Sequence, residues 1–375
     1  MKKVLETILA VLVAAVVAVA CIWQGEIRTI ASIKQVSEND PYLYVTDYKA
    51  KYDLDKVLAA GIDANTKLVE FVIGQLSRGL YKPDLSGRQT GNGFACTSFQ
   101  AKNAEGDGYL FGRNYDFFKN PTLVLKSHPK GGYASISTCD LSHLGYNLEK
   151  LPDGLAAKAL CLAAVYAPMD GMNEKGLCIS IMALPKQAAW QDTGRPVAGT
   201  SILMRLILDR CATVDEALEL VAGLDVRHDQ TAGGGYHYLV ADAEGNCAAI
   251  EFDLFDGWKT MITRKAEGEN TMLMTNHLIA PKYYTTEPDP VLGNPHSKSW
   301  WRYDTAGAYL AQRDGILSLD EAQECLSLVH WKELIWENGM VESTQYSNVY
   351  DQQNITLALR NWNEYDRTYS FSLSE

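Results

Sequence analysis

The sequence predicts an α+β protein with two antiparallel sheets and two helical layers. Two observations carry this. Strand pairs, helices, strands, helices and a last strand pair follow one another in blocks along the chain. The strand pairs are joined by short turn-rich stretches, such as Asn103-Ala104-Glu105-Gly106-Asp107-Gly108 and Asp242-Ala243-Glu244-Gly245-Asn246, the mark of hairpins. No internal repeat or low-complexity tract interrupts the order.

In chain order, Met1-Lys2-Lys3 and the apolar run Ile8 to Ala20 read as a signal sequence, with Ala18-Val19-Ala20 as its cleavage site. The run is short for a membrane span. Cys21 follows the small residues as a bacterial lipid-anchor cysteine does, with Ala18 where leucine is usual. A cleaved signal, a lipid anchor on Cys21 and an uncleaved membrane anchor are all open. Each makes the protein extracytoplasmic, secreted or membrane-anchored. Residues 22–95 read as a helical pro-segment and linker. Tyr42 to Tyr52 is polar and tyrosine-rich, and Leu54 to Leu80 carries helical apolar spacing through Val57, Ile62, Leu68, Val69, Val72 and Leu76. Pro83 to Gly93 is rich in breakers. The alternative is a helical extension that packs on the domain.

From Phe94 the pattern turns to strands. Phe94 to Lys102 pairs with Tyr109 to Phe117, Leu123 to Lys126 with Tyr133 to Thr138, and Ala163 to Tyr166 with Cys178 to Met182. Helices follow at Ser201 to Arg210 and from Thr213, with Glu216 completing a capping box, to Ala222. Tyr236 to Ala241, Ala248 to Phe252 and Thr271 to Thr275 are strands. Trp301 to Gln312 and Leu319 to Val329 are helices, the second capped by Ser318 with Glu321. Gln345 to Tyr350 and Thr356 to Arg360 close the chain as a hairpin. Gly233-Gly234-Gly235 precedes a strand and opens no helix, so it is no phosphate loop.

A formal net charge of −12 argues against a nucleic-acid partner, whose phosphates call for a basic face. None of the eight cysteines forms a C-x-x-C pair, so zinc and thioredoxin chemistry lack support, and neither a metal nor an organic cofactor is implied. Cys161, Cys178, Cys211 and Cys325 sit in apolar runs as buried thiols do. Cys96 differs. It lies in Gly93-Phe94-Ala95-Cys96-Thr97-Ser98-Phe99, and Phe111-Gly112-Arg113-Asn114-Tyr115-Asp116-Phe117 returns alongside it. A cysteine nucleophile needs a base for its proton. None of His128, His143, His228, His237, His277, His296 and His330 has a recognisable protease context. A chain-terminal cysteine carries another base, its own α-amine, with a pKa near ~8. Such a site needs a cation for the thiolate and a carboxylate for the ammonium, which Arg113 and Asp116 offer. Their spacing places them on opposite faces of an ideal strand, so Asp116 is expected at a bend. A structural ion pair beside a buried cysteine is the alternative.

These residues resemble the start of mature choloylglycine hydrolases, the family of bile salt hydrolases and penicillin V acylases, with acid ceramidase-type amidases as distant relatives. The resemblance continues at Met172-Asn173-Glu174-Lys175-Gly176-Leu177, Ala241-Asp242, Ile250-Glu251, Met274-Thr275-Asn276, Arg302-Tyr303-Asp304 and Gln345-Tyr346-Ser347-Asn348-Val349-Tyr350-Asp351. It implies an N-terminal nucleophile (Ntn) hydrolase with the four-layer αββα sandwich over 96–375, after a signal at 1–21 and the pro-segment at 22–95. It also implies roles: Cys96 as nucleophile, Arg113 supporting the thiolate, Asp116 binding the amine, Asn276 donating to the oxyanion and Arg302 orienting the nucleophile region. The substrate is then a small N-acyl amide, and a homo-oligomer is consistent with the family.

Two departures stand out. The oxyanion donor that follows the Asn173-Glu174-Lys175-Gly176 motif in bile salt hydrolases falls here on Ala183. The long leader also requires a cut between Ala95 and Cys96, which self-processing by the Cys96 thiol would make. The sequence thus points to an exported self-processing amidase. An acyltransferase with the same nucleophile and a non-catalytic binding protein that kept the fold are the alternatives. Bile salts, penicillin V, acyl-homoserine lactones and N-acyl lipids are all open as substrates. Trp190, Tyr283, Tyr284, Trp300 and Trp301 are aromatic candidates for the acyl pocket.

Overall fold

The computed structural model describes residues 20–79, 95–185, 188–230, 234–293, 297–335 and 339–373. The signal stretch up to residue 19, the linker Pro83 to Gly93, Gly233 and His296 lie outside the described residues. Among the described residues no helix is long and apolar enough to cross a membrane.

The first sheet has nine strands, in spatial order β1 (Lys34–Ser37), β2 (Asp40–Tyr48), β5 (Thr122–Ser127), β6 (Ser135–Asp140), β7 (Asp170–Asn173), β8 (Cys178–Pro185), β11 (Gly234–Ala241), β12 (Cys247–Phe252) and β13 (Thr260–Arg264). The second runs β14 (Met272–Met274), β3 (Ala95–Asn103), β4 (Tyr109–Phe118), β17 (Val341–Asp351), β18 (Thr356–Asn361) and β19 (Tyr369–Ser372). Short β15 (Ile316–Leu317) and β16 (Leu334–Ile335) join it beside β3 and β17. β9 (Val197–Gly199) and β10 (Asp225–Arg227) form a separate parallel pair. Both large sheets are antiparallel except where β2 lies parallel to β5 and β15 to β3.

The two sheets face each other, tied across the gap by the Ser180 hydroxyl donating to Ser98 at 2.8 Å. Thr200–Arg210 and Val214–Ala222 cover the outer side of the first sheet, and Ser299–Ala311 with Leu319–Leu328 that of the second. The result is the αββα order. The Leu319–Leu328 helix has the full Ser318–Glu321 capping box. In the other helix Thr213 accepts from Glu216 N–H, while the Glu216 carboxylate turns to the Ala212 N–H, so only half the box forms.

Three elements differ from the sequence reading. The leader is not all helix: β1 and β2 add a hairpin to the first sheet, and Leu43, Tyr44 and Tyr48 bury their side chains in its core. The alternation in Tyr42-Leu43-Tyr44-Val45-Thr46 was masked by its polar tyrosines and threonine. The long leader helix is two helices, Leu54–Ala59 and Asn65–Leu76, broken at Gly61, whose φ is +61°. Ala163 to Tyr166 is not a strand but part of a 3₁₀ stretch, Cys161–Tyr166; the place beside β8 belongs to β7. A short apolar run does not separate strand from buried helix by its period. Here the Tyr48 hydroxyl and the Cys139 thiol take the Leu162 and Ala164 carbonyls that a sheet partner would have taken.

The turn between β7 and β8 requires glycine at 176. Its φ is +77°, and an added Cβ would meet the Gln352 carbonyl and the Ala243 side chain. Gly176→Ala is expected to cost about 2–4 kcal/mol, left-handed strain plus a backbone clash, and calorimetric melting checks it.

Candidate active site

Cys96 is the second residue of β3 and is fully buried. β3 begins at Ala95, so the Ala95–Cys96 peptide is its first. Pairing with β4 sets Cys96 opposite Tyr115 and Ser98 opposite Arg113. Strand alternation then sorts the site by face. Cys96, Ser98 and Arg113 look at the first sheet; Thr97, Asn114 and Asp116 look at the outer helices.

On the inner face, the Cys96 thiol lies 3.7 Å from the Ile181 carbonyl. The Arg113 guanidinium, also fully buried, faces the thiol and stands 3.7 Å from the Asp170 carboxylate. Its side-chain nitrogens have no hydrogen-bond partner of good geometry among the described residues. A buried cation with that much unused capacity suits an anion beside it. The Cys96 thiol is nevertheless pushed up to about 12 by burial, with Arg113 and Arg302 pulling it down and Asp116 pushing it up. Burial dominates, so the thiol is protonated in the uncut chain.

On the outer face, Asp116 accepts from the Thr344 hydroxyl at 2.6 Å and stands 3.8 Å from Arg302. Burial raises its pKa, and Arg302 and Thr344 oppose the rise. The expected bend at Asp116 is absent. The strand keeps its alternation, and the register shift falls on β17 between Thr344 and Tyr346. Arg113 and Asp116 therefore serve opposite sides of one strand.

Arg302, fully buried on the Ser299–Ala311 helix, grips the backbone of the cysteine itself. It donates to the Cys96 carbonyl, to Thr97 Oγ1 at 2.9 Å and to Asn276 Oδ1 at 2.6 Å. Its Nε donates to the Ser297 carbonyl at 2.8 Å. Asn276 Oδ1 also accepts the Cys96 N–H at 2.6 Å, and its Nδ2 donates to the Ala183 carbonyl at 2.7 Å. Its own N–H donates to Ser299 Oγ at 2.8 Å, which sits 2.8 Å from His277 Nδ1. Ala183, whose side chain offers no donor, enters through its backbone oxygen.

All five residues chosen from the sequence thus lie around one peptide unit. The residues missed are Asp170, Thr344, Ser297 and Ser299. Asp170 gathers the Tyr346 hydroxyl at 2.7 Å, the Asn348 amide at 2.8 Å and the Tyr350 hydroxyl, and so holds the anion opposite Arg113. Asp170 stands two residues before the Met172 motif and Thr344 directly before the Gln345 motif, which was the only available signal. Among the described residues no histidine is hydrogen-bonded to Cys96. His237 pairs with Glu251 at 3.1 Å, and His277, stacked on Trp300, is held down to about 3 by burial. Of the aromatic candidates, Trp190 stacks with Arg227, Tyr283 bonds Asp253 and Trp301 is half exposed, while Trp300 packs on His277 beside the Ser299 hydroxyl that holds Asn276.

A family model described as acyl-coenzyme A:6-aminopenicillanic acid acyl-transferase matches residues 103–330. Crystal structures of two variants of the conjugated bile acid hydrolase of Clostridium perfringens superpose with TM-scores of 0.52 and 0.51. They are 12% and 13% identical, cover 74% of this chain in each case, and are themselves covered to 92% and 93%. The penicillin V acylase of Agrobacterium tumefaciens gives a TM-score of 0.47 at 16% identity, over 75% of this chain and 87% of its own. No curated protein matches the sequence. At these identities the bile acid hydrolase shows the fold, that of Ntn hydrolases.

Proposed function

The chain belongs to the acyl-coenzyme A:6-aminopenicillanic acid acyl-transferase family, and from that premise we propose that it is an exported, self-processing amidase with Cys96 as its nucleophile. One observation carries the reading. A buried arginine and a buried asparagine are spent on the carbonyl and N–H of the cysteine's own backbone. A merely structural cysteine needs no such clamp.

In the processing step the Cys96 thiol attacks the Ala95 carbonyl. A carbon–sulfur bond forms, the Ala95–Cys96 amide breaks, and the nitrogen leaves as the new α-amine with the thiol proton. Water then frees a leader ending in the Ala95 carboxylate. In turnover the α-amine takes the thiol proton, and the sulfur attacks the substrate carbonyl. The substrate nitrogen departs with that proton, and water resolves the thioester to the acid. Arg113 favours the thiolate, Asp116 and Asn276 Oδ1 hold the ammonium, and Asn276 Nδ2 serves the oxyanion, a contact worth about 3–4 kcal/mol in comparable sites. Transfer of the acyl group to an amine is the second reading, favoured by the family's description. Turnover with 6-aminopenicillanic acid added as an amine acceptor separates them: free acid alone supports hydrolysis, and acylation of the added amine in its place supports transfer.

The test is intact mass of the purified exported protein. A piece beginning at Cys96 is expected, and an uncut chain would remove the mechanism. The leader is expected to stay bound after the cut. β2 pairs with β5 over six residues, from Leu43 opposite Thr122 to Tyr48 opposite Ser127. Asn361 also donates to the buried Asp40 carboxylate at 3.0 Å. The two pieces should run separately under denaturing conditions and together in gel filtration.

A further inference from the structure

A cavity of about 60 Å³ lies behind the residues that surround the nucleophile, without touching Cys96 itself, and the leader helix Asn65–Leu76 supplies part of its lining. Leu68, Val69 and Val72 of the helix Asn65–Leu76 form one wall; Leu144, Met169 and Ile181 form the other. Its link to the reacting atoms runs through three residues. Ile181 is the residue whose carbonyl meets the Cys96 thiol. His143, also on the wall, reaches the hydroxyl of Tyr115 at 3.3 Å, and Tyr115 stands opposite Cys96. Tyr236, a third wall residue, pairs with Ala183, whose carbonyl holds Asn276. The cavity is therefore one residue removed from the thiol, its strand partner and its amide clamp.

The helix that closes it is moored at both ends. Ala64 gives no side-chain cap, and the Asn65 N–H donates instead to Asp229 of the catalytic part at 2.8 Å. At the other end the Trp23 indole donates to the Leu76 carbonyl at 3.0 Å. Positions 65, 68, 69 and 72 share one helix face, and that face looks into the cavity. Largely aliphatic walls one residue removed from the thiol suit an apolar group. The volume is well under the ~150 Å³ of a cavity that holds benzene.

We propose that the leader remains as the roof of the acyl-binding site, and that Leu68, Val69 and Val72 set the upper limit of acyl length, so that the substrates are amides of short, unbranched apolar acids. This rests on the amidase reading and names its substrate class. The roof makes the specificity testable without touching the catalytic groups.

The processed full chain is assayed with N-acyl derivatives of 7-amino-4-methylcoumarin, from acetyl to dodecanoyl. Wild type should favour butyryl over octanoyl. Leu68→Ala combined with Val69→Ala should raise the octanoyl-to-butyryl ratio of kcat/KM by at least about tenfold, and Val69→Phe should lower it, since one methylene in an apolar pocket is worth about that factor. Ratios unchanged in both variants overturn the roof. A second readout needs no turnover: iodoacetamide labelling of Cys96, read by peptide mass. The double alanine variant should label several-fold faster than wild type, and octanoate should protect it more than it protects wild type. Equal labelling and equal protection overturn the roof as well. Failure of the amidase reading looks different: wild type turns over no acyl length and forms no thioester, while the labelling comparison still decides the roof.

Discussion

Cys96→Ala should leave the chain uncut and lower amide turnover by at least about 10⁴-fold, the scale seen when a nucleophile is removed. Both losses follow from one atom. On the proposed mechanism the sulfur makes the cut that frees the α-amine, and it then accepts the acyl group. Cys96→Ser separates the two duties, since a hydroxyl keeps the geometry and loses most of the nucleophilicity at neutral pH. Processing should slow in that variant before it stops. Wild-type processing carries its own pH signature. Burial pushes the thiol of the uncut chain up to about 12, so the thiolate fraction should rise about tenfold per pH unit between pH 7 and 9. Cleavage of freshly refolded precursor, followed by mass against time, should climb with that slope. A flat profile would show that a neighbouring group takes the proton.

The sequence carried the site further than the fold around it. Cys96, Arg113 and Asp116 are polar or reactive residues on apolar strands, Arg302 is on a helix and Asn276 lies just past β14, and burial of such groups asks for partners. Their order along the chain could be read, and so could the spacing that sets Arg113 and Asp116 on opposite faces of β4; what could not be read is that this alternation holds without a bend at Asp116, because the irregularity falls on β17 near Gln345. Asp170 and Thr344 act only through the partners the fold brings to them, from strands distant in sequence. The leader was the harder case. Its helices show apolar spacing, but β2 is an edge-side strand of alternating tyrosines whose partner, β5, begins about eighty residues later. Pairing of that kind leaves no local pattern. The roof over the cavity is legible only once Leu68 and Ile181 are seen across the same space.

Arg302→Met should be the most damaging change outside the nucleophile, and for two separable reasons. Arg302 and Asp116 are both fully buried, 3.8 Å apart. Removing the arginine strands a carboxylate whose pKa burial already raises, and breaking such a pair costs about 3–5 kcal/mol. The sign of its pH dependence is fixed. Without Arg302 the folded-state pKa of Asp116 rises further above its unfolded value, so the folded form holds the proton more tightly. Stability is then lost as pH rises from the ordinary carboxylate range toward the raised value, and the deficit should be larger at pH 8 than at pH 4. Arg302→Met with Asp116→Asn removes the stranded charge and should recover most of the melting temperature. It should not recover processing, because the Cys96 carbonyl and Asn276 Oδ1 have still lost the donor that holds them. Melting at the two pH values and the cleaved fraction of both variants decide it. If the double variant regained processing together with stability, Arg302 would be a structural partner of Asp116 and the backbone clamp would have no part in the cut.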